Sequence, residues 1–295
     1  MFEGAYTAMV TPFDRREKVD EAGLKENVKF QIKNGIHGLV PVGTTGECAT
    51  LSYDEHNRVV ETVVDAAKGK VPVLAGTGSN STWEAVMLTK HAKEIGADGA
   101  LLTVPYYNRP TQAGLYAHFK KVAEEVDIPQ VIYNIPSRTG VNMLPGTMAK
   151  LAKLKNIAGV KEASGDMKQV KEIIRLTKKE DFLVTSGNDS DTFEIMKLGG
   201  VGVISVMSNI VPDRVVKLVN LLRFGDLKTA KKIDLELAPL YKILFIETNP
   251  GPVKQAMNWM GMPAGGLKLP MVGLEPENKK KLRKVLVGMG LVRKR

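Results

Sequence analysis

Short apolar runs rich in β-branched residues recur along this chain at a steady interval, and between them the pattern turns polar with a helical period. The runs predict strands near 4–10 (GAYTAMV), 37–42 (HGLVPV), 71–76 (VPVLAG), 99–104 (GALLTV), 130–134 (QVIYN), 157–161 (IAGVK), 182–186 (FLVTS) and 201–205 (VGVIS). Helices near 20–34, 52–68, 81–95, 111–125, 145–152, 166–178, 189–198 and 212–222 complete the alternation. In 52–68, Asp54 and Glu55 fall in the first turn, and Val59, Val60, Val63 and Val64 make one face. Gly sits near several helix ends, as in Asn34-Gly35, Lys68-Gly69, Ile95-Gly96 and Leu198-Gly-Gly200. Near-continuous apolar strands alternating with helices mean a parallel sheet whose outer face is covered. Eight such units in about 220 residues fit a closed (β/α)8 TIM barrel of the α/β class better than an open doubly wound sheet. No GxGxxG follows the first strand, which lowers the dinucleotide-binding alternative further.

After Phe224-Gly225 the strand pattern stops, and helical patterns follow at 226–245, 251–260 and 276–289. The expected division is a catalytic barrel over 1–224 and a small C-terminal helical region over 225–295. No Pro/Gly/Ser-rich linker separates them, so the region should be docked on the barrel and not tethered.

Composition narrows the class without changing that picture. An apolar fraction of 43% with 25% charged residues describes a soluble globular chain. No uncharged apolar run is long enough for a transmembrane helix. The N-terminus reads as a first strand and not as a signal peptide, so a cytoplasmic location is expected. The single cysteine, Cys48, forms no intramolecular disulfide and no thiolate metal site by itself. His37, His56, His91 and His118 have no HxH or HExxH spacing. No metal or other cofactor is expected, with carboxylate-held magnesium left open. A net charge of +10 raises the question of nucleic acid. Basic residues are spread over most helices, with a patch at Lys279–Lys284 and a tail at Arg293-Lys-Arg295. Aromatic residues are few and not interleaved with the patch, so these read as solvated faces; neither nucleic acid nor membrane is an expected partner. A positive field still gathers small anions.

Barrel enzymes carry their chemistry at the C-terminal ends of strands, which makes those ends informative. Strand six ends in Lys161. Burial disfavours an ammonium and lowers its pKa, and a neutral amine attacks carbonyl carbons. The other reading of Lys161 is a strand-end residue that snorkels to solvent. Strand five leads into Tyr133-Asn-Ile-Pro-Ser-Arg-Thr-Gly140, where a phenol can pass a proton and Arg138 offers a fork for a carboxylate. By itself Arg138 reads better as a surface ion pair. Strand two leads into Gly43-Thr-Thr-Gly-Glu47, either an ordinary turn or a loop whose hydroxyls and backbone donors suit a carboxylate. Strand four leads into Pro105-Tyr-Tyr-Asn-Arg-Pro110, a stiff aromatic loop for the barrel mouth or a subunit contact. Strand seven ends in Ser186-Gly187-Asn188-Asp189, where glycine allows close approach to a ligand. Together these ends point to amine attack on a keto acid, loss of water to an iminium, and an enamine that attacks a second carbonyl.

In Gly43-Thr-Thr-Gly-Glu47, Tyr106-Tyr-Asn-Arg-Pro110, Tyr133–Gly140, Gly159-Val-Lys-Glu162 and Gly202-Val-Ile-Ser205, the chain resembles the dihydrodipicolinate synthase family of pyruvate-dependent class I aldolases. The resemblance covers essentially the whole chain. It implies condensation of pyruvate with aspartate semialdehyde through a lysine Schiff base, in the diaminopimelate route of lysine biosynthesis. Lys161 would form the Schiff base. Tyr133 would be the central acid/base, with Thr45 and Tyr107 completing a proton relay and Thr44 orienting relay and substrate. Arg138 would hold the semialdehyde's carboxylate, and Gly187 and Ile204 would line the pyruvate pocket with their backbone. Tyr107 would reach into a neighbouring subunit, within a homotetramer built from tight dimers. An allosteric lysine site would fall on Cys48, Ala49, Tyr53, His56, Asn80, Glu84 and Tyr106. Cys48 and Tyr53 stand where inhibited members more often have serine and histidine, so inhibition is expected to be weak or absent.

Two rivals follow. Other lyases of the superfamily, such as N-acetylneuraminate lyase or a 2-keto-3-deoxy sugar-acid aldolase, share the lysine and tyrosine; Arg138 and the Tyr106-Tyr107 pair argue against them. A non-catalytic barrel binding anionic ligands would form no covalent adduct at Lys161.

Overall fold

The computed structural model describes residues 2–294; Arg295 of the basic tail lies outside them. Eight strands are β1 (Gly4–Ala8), β2 (Gly38–Val40), β3 (Leu74–Gly76), β4 (Gly99–Thr103), β5 (Gln130–Asn134), β6 (Ile157–Glu162), β7 (Leu183–Ser186) and β8 (Gly202–Ser205). They run parallel in the order β2-β1-β8-β7-β6-β5-β4-β3, and one further parallel bridge, Leu39 to Val73, links the two ends. The result is a nearly closed (β/α)8 TIM barrel.

The helices are α1 (Glu21–Lys33), α2 (Tyr53–Ala67), α3 (Thr82–Glu94), α4 (Gln112–Glu125), α5 (Pro136–Thr139), α6 (Pro145–Leu151), α7 (Met167–Thr177), α8 (Thr192–Lys197), α9 (Pro212–Arg223), α10 (Leu227–Ile243), α11 (Gly251–Trp259) and α12 (Pro276–Gly288). Their starts follow from local chemistry. The Asp20 side chain accepts from Gly23 N–H ahead of α1, and Ser52 with Glu55 forms a reciprocal capping box at α2. Where the sequence predicts one helix over 189–198, the structure has a 3-10 turn at Asp189–Asp191 and then α8. The break has a cause: the buried Asp189 carboxylate turns inward and accepts the N–H groups of Val206 and Met207 at 3.0 Å each. Strand β2 stops before the predicted 42 because Pro41 has no N–H and Val42 turns to φ 49°. The short helix α5 was not predicted, and it carries Arg138.

Strand residues alternate between two dry environments. Tyr6, Leu101, Val131, Tyr133 and Ile204 fill the barrel interior, while Ala5, Leu102, Ile132, Val160 and Val203 pack outward against the helices. Both faces are buried, which is why the strands read as continuous apolar runs. After residue 224 the helices keep no core of their own. Leu237, Leu240, Val253, Met257, Leu282 and Leu286 share one apolar cluster with Leu24, Val28 and Val63 of the barrel layer. Among the described residues no helix is long and apolar enough to cross a membrane.

Candidate active site

Lys161 is the penultimate residue of β6, paired in register with Tyr133 on β5. Strand alternation sends both side chains into the barrel interior. Lys161 is 6% exposed, and its Nζ lies 4.0 Å from the centre of the Tyr133 ring. Among the described residues it joins no ion pair. Burial pushes its amine down to about 7; Asp189 opposes that shift and the Arg138 charge adds to it. The snorkelling reading fails because the side chain stays inside. Burial pushes the Tyr133 phenol far up, against smaller downward pulls from Arg138 and from a hydrogen bond with the Thr44 side chain. At neutral pH the phenol therefore keeps its proton and can donate it.

A small cavity of about 40 Å³ sits over Lys161. Thr44, Thr45, Tyr133, Arg138, Gly187, Asn188, Val206 and Asn249 help to line it. Gly187 is required there. A Cβ at 187 would lie 2.7 Å from Ala163 Cβ and 3.2 Å from Lys161 Cγ. Outside lies a second cavity of about 240 Å³ that shares Thr44, Ile135, Arg138 and Asn249 and extends to Cys48, Ala49 and Tyr106. Arg138 thus stands between a deep pocket that takes something small and an outer one with room for a larger group. Its Nη2 donates to Asn249 O at 3.3 Å.

Thr45 and Ile204 sit differently from expectation. The hydroxyl that meets Tyr133 belongs to Thr44 and not to Thr45, whose Oγ1 accepts from Asn249 Nδ2 at 3.0 Å. Successive residues of the turn face different ways, which puts the Thr44 hydroxyl, and not that of Thr45, beside Tyr133. Ile204 does not line the cavity over Lys161; it packs in the apolar cluster of the barrel interior, and Val206 takes the lining position. Tyr107 is 90% exposed, lines neither cavity, and has a left-handed φ of 69°. Its own chain does not bring it to Lys161.

Of the expected allosteric residues, Glu84 accepts hydrogen bonds from Ser79 and from the Tyr53 phenol, and Asn80 Nδ2 donates to Tyr106 O at 3.2 Å. His56 is turned away into the barrel wall, with Nε2 2.8 Å from Gly76 O, and burial pushes its imidazole down. Burial pushes the Cys48 thiol up to about 11, which leaves it an unreactive packing group. Among the described residues no three His, Cys, Asp or Glu side chains gather as a metal site would need.

Sequence reading missed Asn249, Lys254 and the buried position of Asp189. Asn249 lies in Glu247-Thr-Asn-Pro-Gly-Pro252, a proline- and glycine-rich break between two helices. That break was the available signal for a loop returning to the barrel mouth.

With this geometry in hand, comparison with known proteins gives one answer. Residues 1–288 match the model of the dihydrodipicolinate synthetase family. The chain is similar to 4-hydroxy-tetrahydrodipicolinate synthase of Syntrophobacter fumaroxidans, 53% identical over 99% of this chain and 100% of that one. It is 52% identical to the protein of the same name in Syntrophus aciditrophicus, again over 99% and 100%. Its structure superposes on dihydrodipicolinate synthase from Aquifex aeolicus with a TM-score of 0.97, at 48% identity and full coverage of both chains.

Proposed function

The chain belongs to the dihydrodipicolinate synthetase family, and from that premise we propose that it condenses pyruvate with aspartate semialdehyde to give 4-hydroxy-tetrahydrodipicolinate, on the diaminopimelate route to lysine. The observation that carries the reading is Lys161: buried, in no ion pair among the described residues, its amine pushed down to about 7, under a small cavity with Arg138 at the mouth.

Lys161 Nζ attacks C2 of pyruvate, and the carbonyl oxygen leaves as water, carrying one proton from the nitrogen and a second from the Tyr133 phenol. The cationic iminium draws electrons from C3, which loses a proton to become an enamine. C3 then bonds to the aldehyde carbon of the semialdehyde, whose oxygen takes up a proton. The semialdehyde's own amino nitrogen displaces Nζ at C2, closing the ring and freeing the lysine. Tyr133 is suited to relay these protons: its raised phenol holds a proton to give at the dehydration, the phenolate left can take one from C3, and its ring lies 4.0 Å from Nζ. Thr44 continues the relay, while Thr45 and the backbone of its loop receive the pyruvate carboxylate. Arg138 grips the carboxylate of the semialdehyde in the outer cavity.

The exposed, left-handed Tyr107 suits a relay residue supplied to a neighbour's site. We infer a homotetramer built from tight dimers, working in the cytoplasm. Lysine inhibition is weak or absent, in keeping with a His56 tied to Gly76. The names of the relatives favour the synthase over sugar-acid lyases.

Product analysis decides between them. The protein is incubated with pyruvate plus aspartate semialdehyde, and separately with pyruvate plus sugar aldehydes. Turnover with the semialdehyde is expected, and turnover with the sugars alone would overturn the assignment.

A further inference from the structure

The most deeply buried ion pair among the described residues lies outside the catalytic group. Glu47 Oε1 and Lys254 Nζ are 2.7 Å apart, with each side chain 2% exposed. Glu47 closes the Gly43–Glu47 loop and has a left-handed φ of 58°, unusual for a residue with a side chain. Its second oxygen accepts the N–H of Lys268 at 3.0 Å. Lys254, on α11, also donates to Thr11 O at 2.9 Å and lies 4.2 Å over the Phe13 ring. Thr11 in turn donates its hydroxyl to Gly46 O at 2.7 Å. These links form a closed circuit from Gly46 through Glu47, Lys254 and Thr11 back to Gly46. Thr45 lies inside the same loop, held separately by Asn249, just before α11.

Holding α11 on the barrel does not require this pair. Val253, Ala256 and Met257 are already buried in the shared apolar cluster. A buried ion pair is seldom more stabilising than apolar residues of similar size. What it adds is direction, since two charge-assisted bonds fix a carboxylate in one orientation. Resting on the pyruvate reading of the site, we propose that the Glu47–Lys254 pair is a positioning device, through which the C-terminal helical region sets where Thr44 and Thr45 present themselves to pyruvate. Glu47 also forms part of the wall of the outer cavity, but its two carboxylate oxygens are committed to Lys254 and to the Lys268 N–H, so the pair acts through the loop.

The test uses E47Q, K254M and the double variant E47Q/K254M in the full-length protein. For each, the melting temperature is measured, with the KM for pyruvate, the KM for aspartate semialdehyde, and the pyruvate concentration giving half-maximal borohydride trapping. The single variants leave a buried group without its partner and should melt lower. The double variant removes both charges and should regain most of the melting temperature. If the pair positions the loop, the double variant still needs roughly ten- to hundredfold more pyruvate, while the KM for the semialdehyde moves less than about threefold. If either single variant fails to fold, the double variant carries the test alone. Recovery of pyruvate binding together with stability would overturn the proposal, as would an equal loss for both substrates. A wild-type protein that traps no pyruvate at all would overturn the functional reading and this proposal with it.

Discussion

Two lysines of this chain are buried against aromatic rings, and they differ in what answers their charge. Lys161 lies 4.0 Å over Tyr133 at the end of β6, and Lys254 lies 4.2 Å over Phe13 at the start of α11. Burial pushes both amines down. Lys254 is answered by Glu47 at 2.7 Å and by the Thr11 carbonyl, which favour its charged form. Lys161 has only the more distant Asp189 to favour its charge, and Arg138 acts against it. Burial alone therefore does not make a nucleophile. What sets Lys161 apart is the missing close partner, together with a cavity that leaves room beside Nζ.

The largest expected difference between the two positions is chemical. Lys161→Ala should lower turnover by roughly 10⁴-fold or more, since the bond-forming atom is gone. K254M should retain measurable adduct formation at high pyruvate. Steady-state rates and trapping on both variants check this, and comparable losses would break the distinction.

Stability should run the other way. K254M strands Glu47 inside the protein and should destabilise by about 3–5 kcal/mol. K161M removes an unpaired buried amine and should be neutral or stabilising by about 1 kcal/mol. Urea unfolding of both at pH 6 measures the contrast. A K161M protein as damaged as K254M would mean that Lys161 has a hidden partner.

Gly187→Ala probes the space around Lys161 alone. The added methyl, 2.7 Å from Ala163 Cβ, should cost about 1–3 kcal/mol through overpacking and slow pyruvate capture. Trapping rates at saturating pyruvate report it, and a wild-type rate would show that the β7 end yields.

The gentlest probe is pH. With its amine near 7, the fraction of Lys161 able to attack falls about tenfold per unit below that value and levels off above it. The sign for stability follows from the same shift. An unfolded Lys161 holds its proton up to about 10.5 and the folded one only to about 7, so the folded state gains stability as pH rises between them. Unfolding of wild type compared with K161M across that window should show this gain, and an acid limb near 10 would contradict it.

Most of the barrel was legible because two-sided burial writes each strand as an apolar run, and the helix caps are local. Lys161 and Tyr133 were legible for the same reason: a polar group ending a dry strand stands out. Arg138 stood in a motif, but not on the unpredicted α5, since four residues carry too little periodicity. That Thr44 and not Thr45 meets Tyr133 was invisible because a turn's side-chain directions depend on what packs beneath it. Lys254 was hidden for a further reason. On α11 it reads as one more basic residue of a helix, and only contact with Glu47, far away in sequence, marks it as buried.

The central claim is that Lys161, and not any other buried amine, carries the bond to pyruvate. Mass spectrometry after borohydride reduction in the presence of pyruvate tests it most directly. A single reduced adduct on the Lys161 peptide, present in wild type and absent in Lys161→Ala, is the predicted result. An adduct on Lys254, one that persists in Lys161→Ala, or none in wild type would contradict it.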